Sequence, residues 1–259
     1  MFPARLADEI SAAFADLVAA GAVTPSTVVL PSVRVERPVR PTRGDFASPV
    51  ALRLAGSVDQ PAWRLAELLA TRLGTADGIA ASHVAGPGFV NIELAPRGLA
   101  EIVRGIVSAG ATYGVPGDIA GGPVVPQLPP TLASDLRYAH ARLAGYLRAG
   151  TALGVRPDPD RLDLELLGTP PQRPLVCALA EFPGVVERTT KGGSVRWRDR
   201  YLVEVLADIE GLEAAGGILP RGDEEPSPSH ATQLGLVNAS RIVLANAISL
   251  CGLVAPDRM

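Results

Sequence analysis

Lysine is nearly missing from this chain of 259 residues: Lys191 stands alone, and arginine supplies the other 23 basic side chains. Codon bias in a GC-rich genome accounts for that preference. Aromatic residues make up only 4%, so alanine, valine and leucine must fill most of the interior. Cysteine is limited to Cys177 and Cys251, both within apolar helical patterns. Two such cysteines exclude a disulfide framework, and no Cys/His spacing suggests a metal site, so buried free thiols in a reducing cytosol are expected. No uninterrupted apolar run reaches about 18 residues, and Asp8, Glu9 and Asp16 interrupt the first helical segment, which argues against a spanning helix or secretory signal. A cytoplasmic protein with no membrane partner is expected. A strong charge of one sign is lacking too. Residues 1–133 hold ten basic against eleven acidic side chains, and 134–259 hold fourteen against sixteen, for a net charge of −3. Sequence-blind nucleic-acid binding depends on many phosphate contacts. DNA is therefore not expected as a partner, and any RNA contact must rest on local patches.

What is there suffices for a folded chain: 47% hydrophobic and 20% charged. Leu6, Ile10, Phe14, Leu17 and Val18 recur at helical spacing over residues 4–20, and Gly21 ends the pattern. "TVVLPSVRVERP" is strand-like, and "PTRGDFAS" reads as a turn before two short helices, "PVALRLAG" and "QPAWRLAELLATRLG". In "IAASHVAGPGFVNIELA" an apolar run, a Gly-Pro-Gly connection and the alternation of Phe89, Asn91 and Glu93 against Val90, Ile92 and Leu94 describe a hairpin. A helix over "RGLAEIVRGIVSAG" follows. Nine of the twenty residues from Gly114 to Ala133 are glycine or proline, a composition that breaks regular structure. Beyond them the pattern is helical, with segments near 134–153, 160–168, 174–190 (broken near Pro183), 197–215 and 229–252. The expected organisation is an α+β domain over 1–114, with a small antiparallel sheet and flanking helices, a linker over 115–133, and an all-α bundle over 134–259.

Particular words in the chain carry a resemblance. "YAHAR" (Tyr138 to Arg142), "EFPGVVER" (Glu181 to Arg188) and the closing "GLVNASRIVLANAISLCGLVAPDRM" resemble the DALR-type anticodon-binding domain of arginyl-tRNA synthetases. "VERPVRPTRGDFASPVALRLA", "VAGPGFVNIEL" and "AGATYG" are similar to that family's N-terminal extension. The resemblance covers nearly the whole chain and implies the two corresponding folds. It also implies a gap. In the family a Rossmann-type catalytic domain lies between these parts and binds ATP near a His-x-Gly-His sequence. Here the Gly/Pro stretch takes its place, "HVAG" at His83 lies in the hairpin without a second histidine, and a lysine-rich activation loop is lacking. No catalytic residue, metal or cofactor is expected, and the chain reads as a non-catalytic relative of the synthetases.

The resemblance places Phe89 and Asn91 where the family stacks and hydrogen-bonds an unpaired base of the tRNA elbow. Both leave one strand face, the geometry for stacking combined with edge reading. Hairpin packing and turn bonding remain the alternatives. Arg34, Arg37, Arg40 and Arg43 recur every third residue, and polyproline-type geometry would align them along phosphates or along a solvated edge. On the helical side, Tyr138 and Arg142 occupy the entry helix, and Arg196, Trp197 and Arg198 surround an indole with guanidiniums, a stacking patch or a helix anchor. His140 shares the apolar face and reads as a core histidine. The acidic, aromatic-free "EGLEAAGGILPRGDEEPSPS" replaces the stretch that helps form the family's anticodon site and repels phosphate. Binding of tRNA through the N-terminal domain is the first expectation; a protein-interaction module that kept the folds is the alternative.

Overall fold

A computed structural model describes residues 2–26, 32–38, 44–117 and 125–259. Its contacts group into two compact units, Met1–Leu99 and Ala100–Met259. The first is α+β and the second helical, as expected.

In the first unit, α1 (Pro3–Ala19) opens with proline, whose missing N–H costs nothing in a first turn, and stops before Gly21 at φ +70°. Leu6, Ile10, Ala13 and Phe14 form its buried stripe. α2 (Val50–Leu54) and α3 (Ala62–Leu73) follow. β1 (Phe46–Ser48), β2 (Ile79–Ala85) and β3 (Phe89–Leu94) form an antiparallel sheet in the order β1-β3-β2. Val90, Ile92 and Leu94 are buried along β3, where α3 brings Leu65, Ala66, Leu69 and Leu73 against the hairpin. Each fully buried leucine or isoleucine stabilises this layer by about 1.5–3 kcal/mol.

Two expectations for this unit need correction. The presumed turn "PTRGDFAS" ends in strand β1. Gly44, at φ +98°, lies so close to β3 that a Cβ there would sit 2.9 Å from the Ile92 carbonyl oxygen. The Asp45 N–H then donates to that oxygen (2.9 Å), and the Asp45 carboxylate accepts the Leu94 N–H (2.7 Å). A glycine and an aspartate that read locally as turn residues thus clamp a strand onto its neighbour. The strand expected around residues 27–38 is represented by one bridge, in which Glu36 and Ala47 exchange N–H···O bonds of 3.0 and 2.7 Å. Residues 27–31 lie outside the described residues.

α4 (Pro96–Ala109) contains the break between the units, which therefore falls upstream of the Gly/Pro stretch. The second unit continues through a 3-10 turn, Gly110–Thr112, to α5 (Pro130–Ala152), α6 (Leu164–Leu167), α7 (Gln172–Ala180), α8 (Phe182–Thr190), α9 (Val195–Ala215) and α10 (Pro228–Leu250). α10 is buried all round, with Leu234, Leu236, Val237, Val243, Leu244 and Ile248 fully covered, and α5 runs along it. α5 starts at Pro130, four residues before the expected 134, because proline presets the first helical φ. Val125 and Leu128 are already buried, and the Val125 N–H donates to the Leu250 carbonyl (3.3 Å).

The break between α7 and α8 falls beside Pro183, as expected. Proline removes the N–H that the Leu179 carbonyl would otherwise receive. The Tyr113 hydroxyl donates to that carbonyl instead (3.0 Å), and the Tyr201 hydroxyl donates to the Ala178 carbonyl (3.0 Å). The Asn246 side-chain amide donates to the Gly110 and Tyr113 carbonyls (3.0 and 2.8 Å). Residues 110–113 are thereby built into the helical unit.

Candidate nucleic-acid interface

The register of the sheet lays out its open face. Glu36 bridges Ala47, Ala47 pairs with Asn91, and Asn91 pairs with His83. Directly opposed residues in antiparallel strands project to one side, with Cβ atoms about 4.5–5.5 Å apart. Glu36, Ala47, Asn91 and His83 therefore form one row across the sheet, and Phe89, opposite Ala85, begins the next. Phe89 is 39% exposed, whereas Asn91, in the central strand, is 2% exposed. The Asn91 Nδ2 donor is buried without a hydrogen-bond partner among the described residues. A buried amide donor left unmade costs about 1–3 kcal/mol.

The Gly-Pro-Gly turn positions Phe89. Gly88 adopts φ +153°, and a Cβ there would lie 3.0 Å from the Ala62 Cβ and 3.2 Å from Leu52 Cδ2. Only glycine lets the turn settle against α2 and α3, which holds the start of β3 in place. Arg34 is exposed and pairs with Glu36 (3.8 Å), two residues on, the spacing of an extended strand rather than of three-residue periodicity. Arg37 is half-buried. Arg40 and Arg43 lie outside the described residues.

The helical unit treats its candidates differently. Tyr138 is 57% exposed, with the Arg142 guanidinium 5.2 Å from its ring centre. Arg142 forms a bidentate pair with Glu213, at 2.6 and 2.7 Å. Burial works against its charge, but the Glu213 bonds and charge outweigh that and hold its pKa above the usual value. The face of Trp197 is covered by the Arg188 guanidinium at 3.6 Å, and its ring stacks with Tyr201 at 6.5 Å. Arg196 is exposed. Arg198 is buried: it pairs with Asp199 (2.6 Å) and donates to the carbonyls of Pro126 and Gln127. As a contact for RNA, Arg198 is corrected to a structural brace, because its donors hold the approach to α5. Trp197 is engaged by Arg188 and Tyr201 within the helical unit. The acidic loop stays exposed over Asp223–Glu225, where Glu224 lies 3.4 Å from His230 Nε2.

His140 is a core histidine, 2% exposed, with Nδ1 on the Pro256 carbonyl (2.8 Å) and Nε2 without a hydrogen-bond partner among the described residues. Burial pushes its pKa below the usual histidine value, against the pull of the Pro256 bond. Both cysteines are buried thiols, and burial pushes the Cys251 thiol up. Among the described residues no cluster of His, Cys, Asp and Glu could hold a metal ion, and no helix is long and apolar enough to cross a membrane.

The first unit thus presents one open sheet face, and the second is a helical bundle. Family models make the class specific. Residues 4–94 match the arginyl tRNA synthetase N terminal domain, and residues 136–259 match the DALR anticodon binding domain. An arginine–tRNA ligase of Frankia alni is 48% identical over 114 residues, which are 44% of this chain and 20% of that protein. One from Kineococcus radiotolerans is 40% identical over 124 residues, 48% of this chain and 22% of that protein. By both of its domains the chain belongs to the arginyl-tRNA synthetase family. It matches about a fifth of the length of these relatives. Between the two family matches lie only residues 95–135, too few for a further domain, which takes at least about 50 residues.

The sequence reading missed His83 as a member of the open face. The signal was present: the hairpin register follows from the Gly-Pro-Gly connection and places His83 opposite Asn91.

Proposed function

We propose that this protein binds tRNA through its N-terminal domain and does not aminoacylate it. An unpaired base at the tRNA elbow stacks on Phe89 while Asn91 hydrogen-bonds its edge. The observation that carries the reading is the unpartnered Asn91 Nδ2 donor beside an exposed aromatic on the same strand face. Arg34, Arg37, Arg40 and Arg43 are proposed as phosphate contacts flanking the base. Tyr138 and Arg196 are the helical unit's remaining exposed contacts. No cofactor takes part, and the protein acts in the cytoplasm. The short segment between the two matched domains supports the non-catalytic reading.

A second reading has its own support. Arg142, Arg188 and Arg198 are engaged within the helical unit, which also exposes an acidic loop, and this favours a protein partner over RNA for that domain. One experiment separates the possibilities. Wild-type protein is expected to bind an arginine tRNA transcript in low salt, and Phe89→Ala to weaken it by about 1–3 kcal/mol, the range for losing one stacked base. Neither should catalyse arginine-dependent ATP–pyrophosphate exchange. Tight binding by a folded Phe89→Ala variant, or no binding by wild type, transfers the function to the protein-interaction reading. Reproducible exchange above a synthetase-free control overturns the non-catalytic reading.

A further inference from the structure

We infer that His83 is a second hydrogen-bonding group of the base site, reading the same nucleotide as Asn91 from the neighbouring strand. The inference rests on the reading of this sheet face as an RNA site. His83 is exposed, and among the described residues it makes no hydrogen bond or ion pair. The β2–β3 register sets it directly across from Asn91, on the face that also carries Phe89. The other cross-strand neighbour of Asn91 is Ala47, whose side chain ends at a methyl group. Any polar partner supplied from a neighbouring strand of the sheet must therefore come from the β2 side.

The chemistry of the two groups is complementary. Asn91 Nδ2 is a donor and requires an acceptor from the ligand, such as a base carbonyl or ring nitrogen. A neutral imidazole carries one donor and one acceptor, so it can satisfy the neighbouring edge atom whichever kind that is. With Phe89 as the platform, the ligand is an unpaired nucleobase that presents an acceptor and a second polar atom along one edge. A ring without polar edge atoms would stack but leave both groups unmade. Glu36 stands at the far end of the row, beyond Ala47, so His83 is the polar group of the row directly opposite Asn91.

The test compares the full-length chain with His83→Ala, His83→Gln and Phe89→Ala. The probes are an arginine tRNA transcript and versions of it made abasic at single unpaired D-loop positions. His83→Ala is expected to lose about three- to tenfold in affinity for the intact transcript, the effect of one hydrogen bond. It should lose nothing on the transcript that is abasic at the position Phe89 contacts. His83→Gln, which keeps a donor and an acceptor, should restore most of the loss. Thermal melts of each variant check the fold. If His83→Ala binds every transcript as wild type does while Phe89→Ala is weakened, the inference fails and the tRNA reading stands. If His83→Ala weakens intact and abasic transcripts equally, its contact is not with that base, and the inference fails again. If wild type binds no transcript, the tRNA reading falls and takes the inference with it.

Discussion

The open face of the sheet and the arginine-rich surface of the helical bundle use the same residue types to opposite effect. On the sheet, Phe89 is exposed and the Asn91 donor has no partner among the described residues. On the bundle, the Trp197 face lies under Arg188, Arg142 is gripped by Glu213, and Arg198 is buried against Asp199 and two carbonyls. The difference comes from neighbours, not composition. A guanidinium near a fixed carboxylate or an indole forms a pair that no solvent-borne ligand displaces cheaply, because both groups must be stripped and left unpaired. Local enrichment in arginine and aromatics therefore says little about binding until the intramolecular partners are known.

The contrast is sharpest at Arg198. Removing a buried partner leaves Asp199 and the Pro126 and Gln127 carbonyls without donors. Arg198→Ala is expected to cost the helical unit about 3–5 kcal/mol, measured by denaturant unfolding. Affinity for tRNA at a temperature where the variant is folded should not change. A stable variant with weakened tRNA binding would break the comparison.

Arg142→Ala should be milder, since the pair with Glu213 is only partly buried. A loss of about 1–3 kcal/mol in stability is expected, with tRNA affinity within about twofold of wild type at 50 mM salt. A large drop in affinity would show that Glu213 releases Arg142 to RNA and would move the interface onto the bundle.

The smallest expected effect is a pH dependence. The His140 pKa is lowered in the folded state, chiefly by burial. Below the usual histidine value of about 6.5 the unfolded chain takes up a proton more readily than the folded one. The stability that His140 contributes is thus present above that pH and is lost as the pH falls towards the folded-state value. Asp163, held low mainly by the Leu166 N–H, acts in the same direction but only below the usual carboxylate range. Unfolding midpoints should drop between pH 7 and 5.5, and His140→Gln should flatten that slope. An unchanged slope in the variant would assign the effect elsewhere.

The words that carried the family resemblance prove to be the places where the chain touches itself. "VERP" and "GDFA" meet in the Glu36–Ala47 bridge, and "GDFA" clamps "GFVNIEL" through Gly44 and Asp45. "YAHAR" reaches the closing "APDRM" through His140 and Pro256. "AGATYG" meets "EFPG" through the rings of Tyr113 and Phe182, 6.1 Å apart, and "ANAIS" through Asn246. None of these contacts was legible from periodicity, which reports only which side of an element faces inward. Of the candidate site, Phe89 and Asn91 were legible as a face-sharing pair, because strand alternation is a two-residue rule. The engagement of Arg142, Trp197 and Arg198 was not, because their partners are set by the packing of α5, α8 and α9.

By itself the sequence determined the two fold types, the hairpin, the helix spans to within a few residues and the family, since apolar periodicity and Gly/Pro placement are local properties of the chain. Only the tertiary structure decided that Gly44 and Asp45 belong to a strand clamp and that residues 125–128 belong to the bundle. It alone decided that Arg198 is interior and that His83 stands beside Asn91. Each of these depends on a partner distant in the chain, or on a strand register, and the free energy of such contacts exists only once the elements have docked.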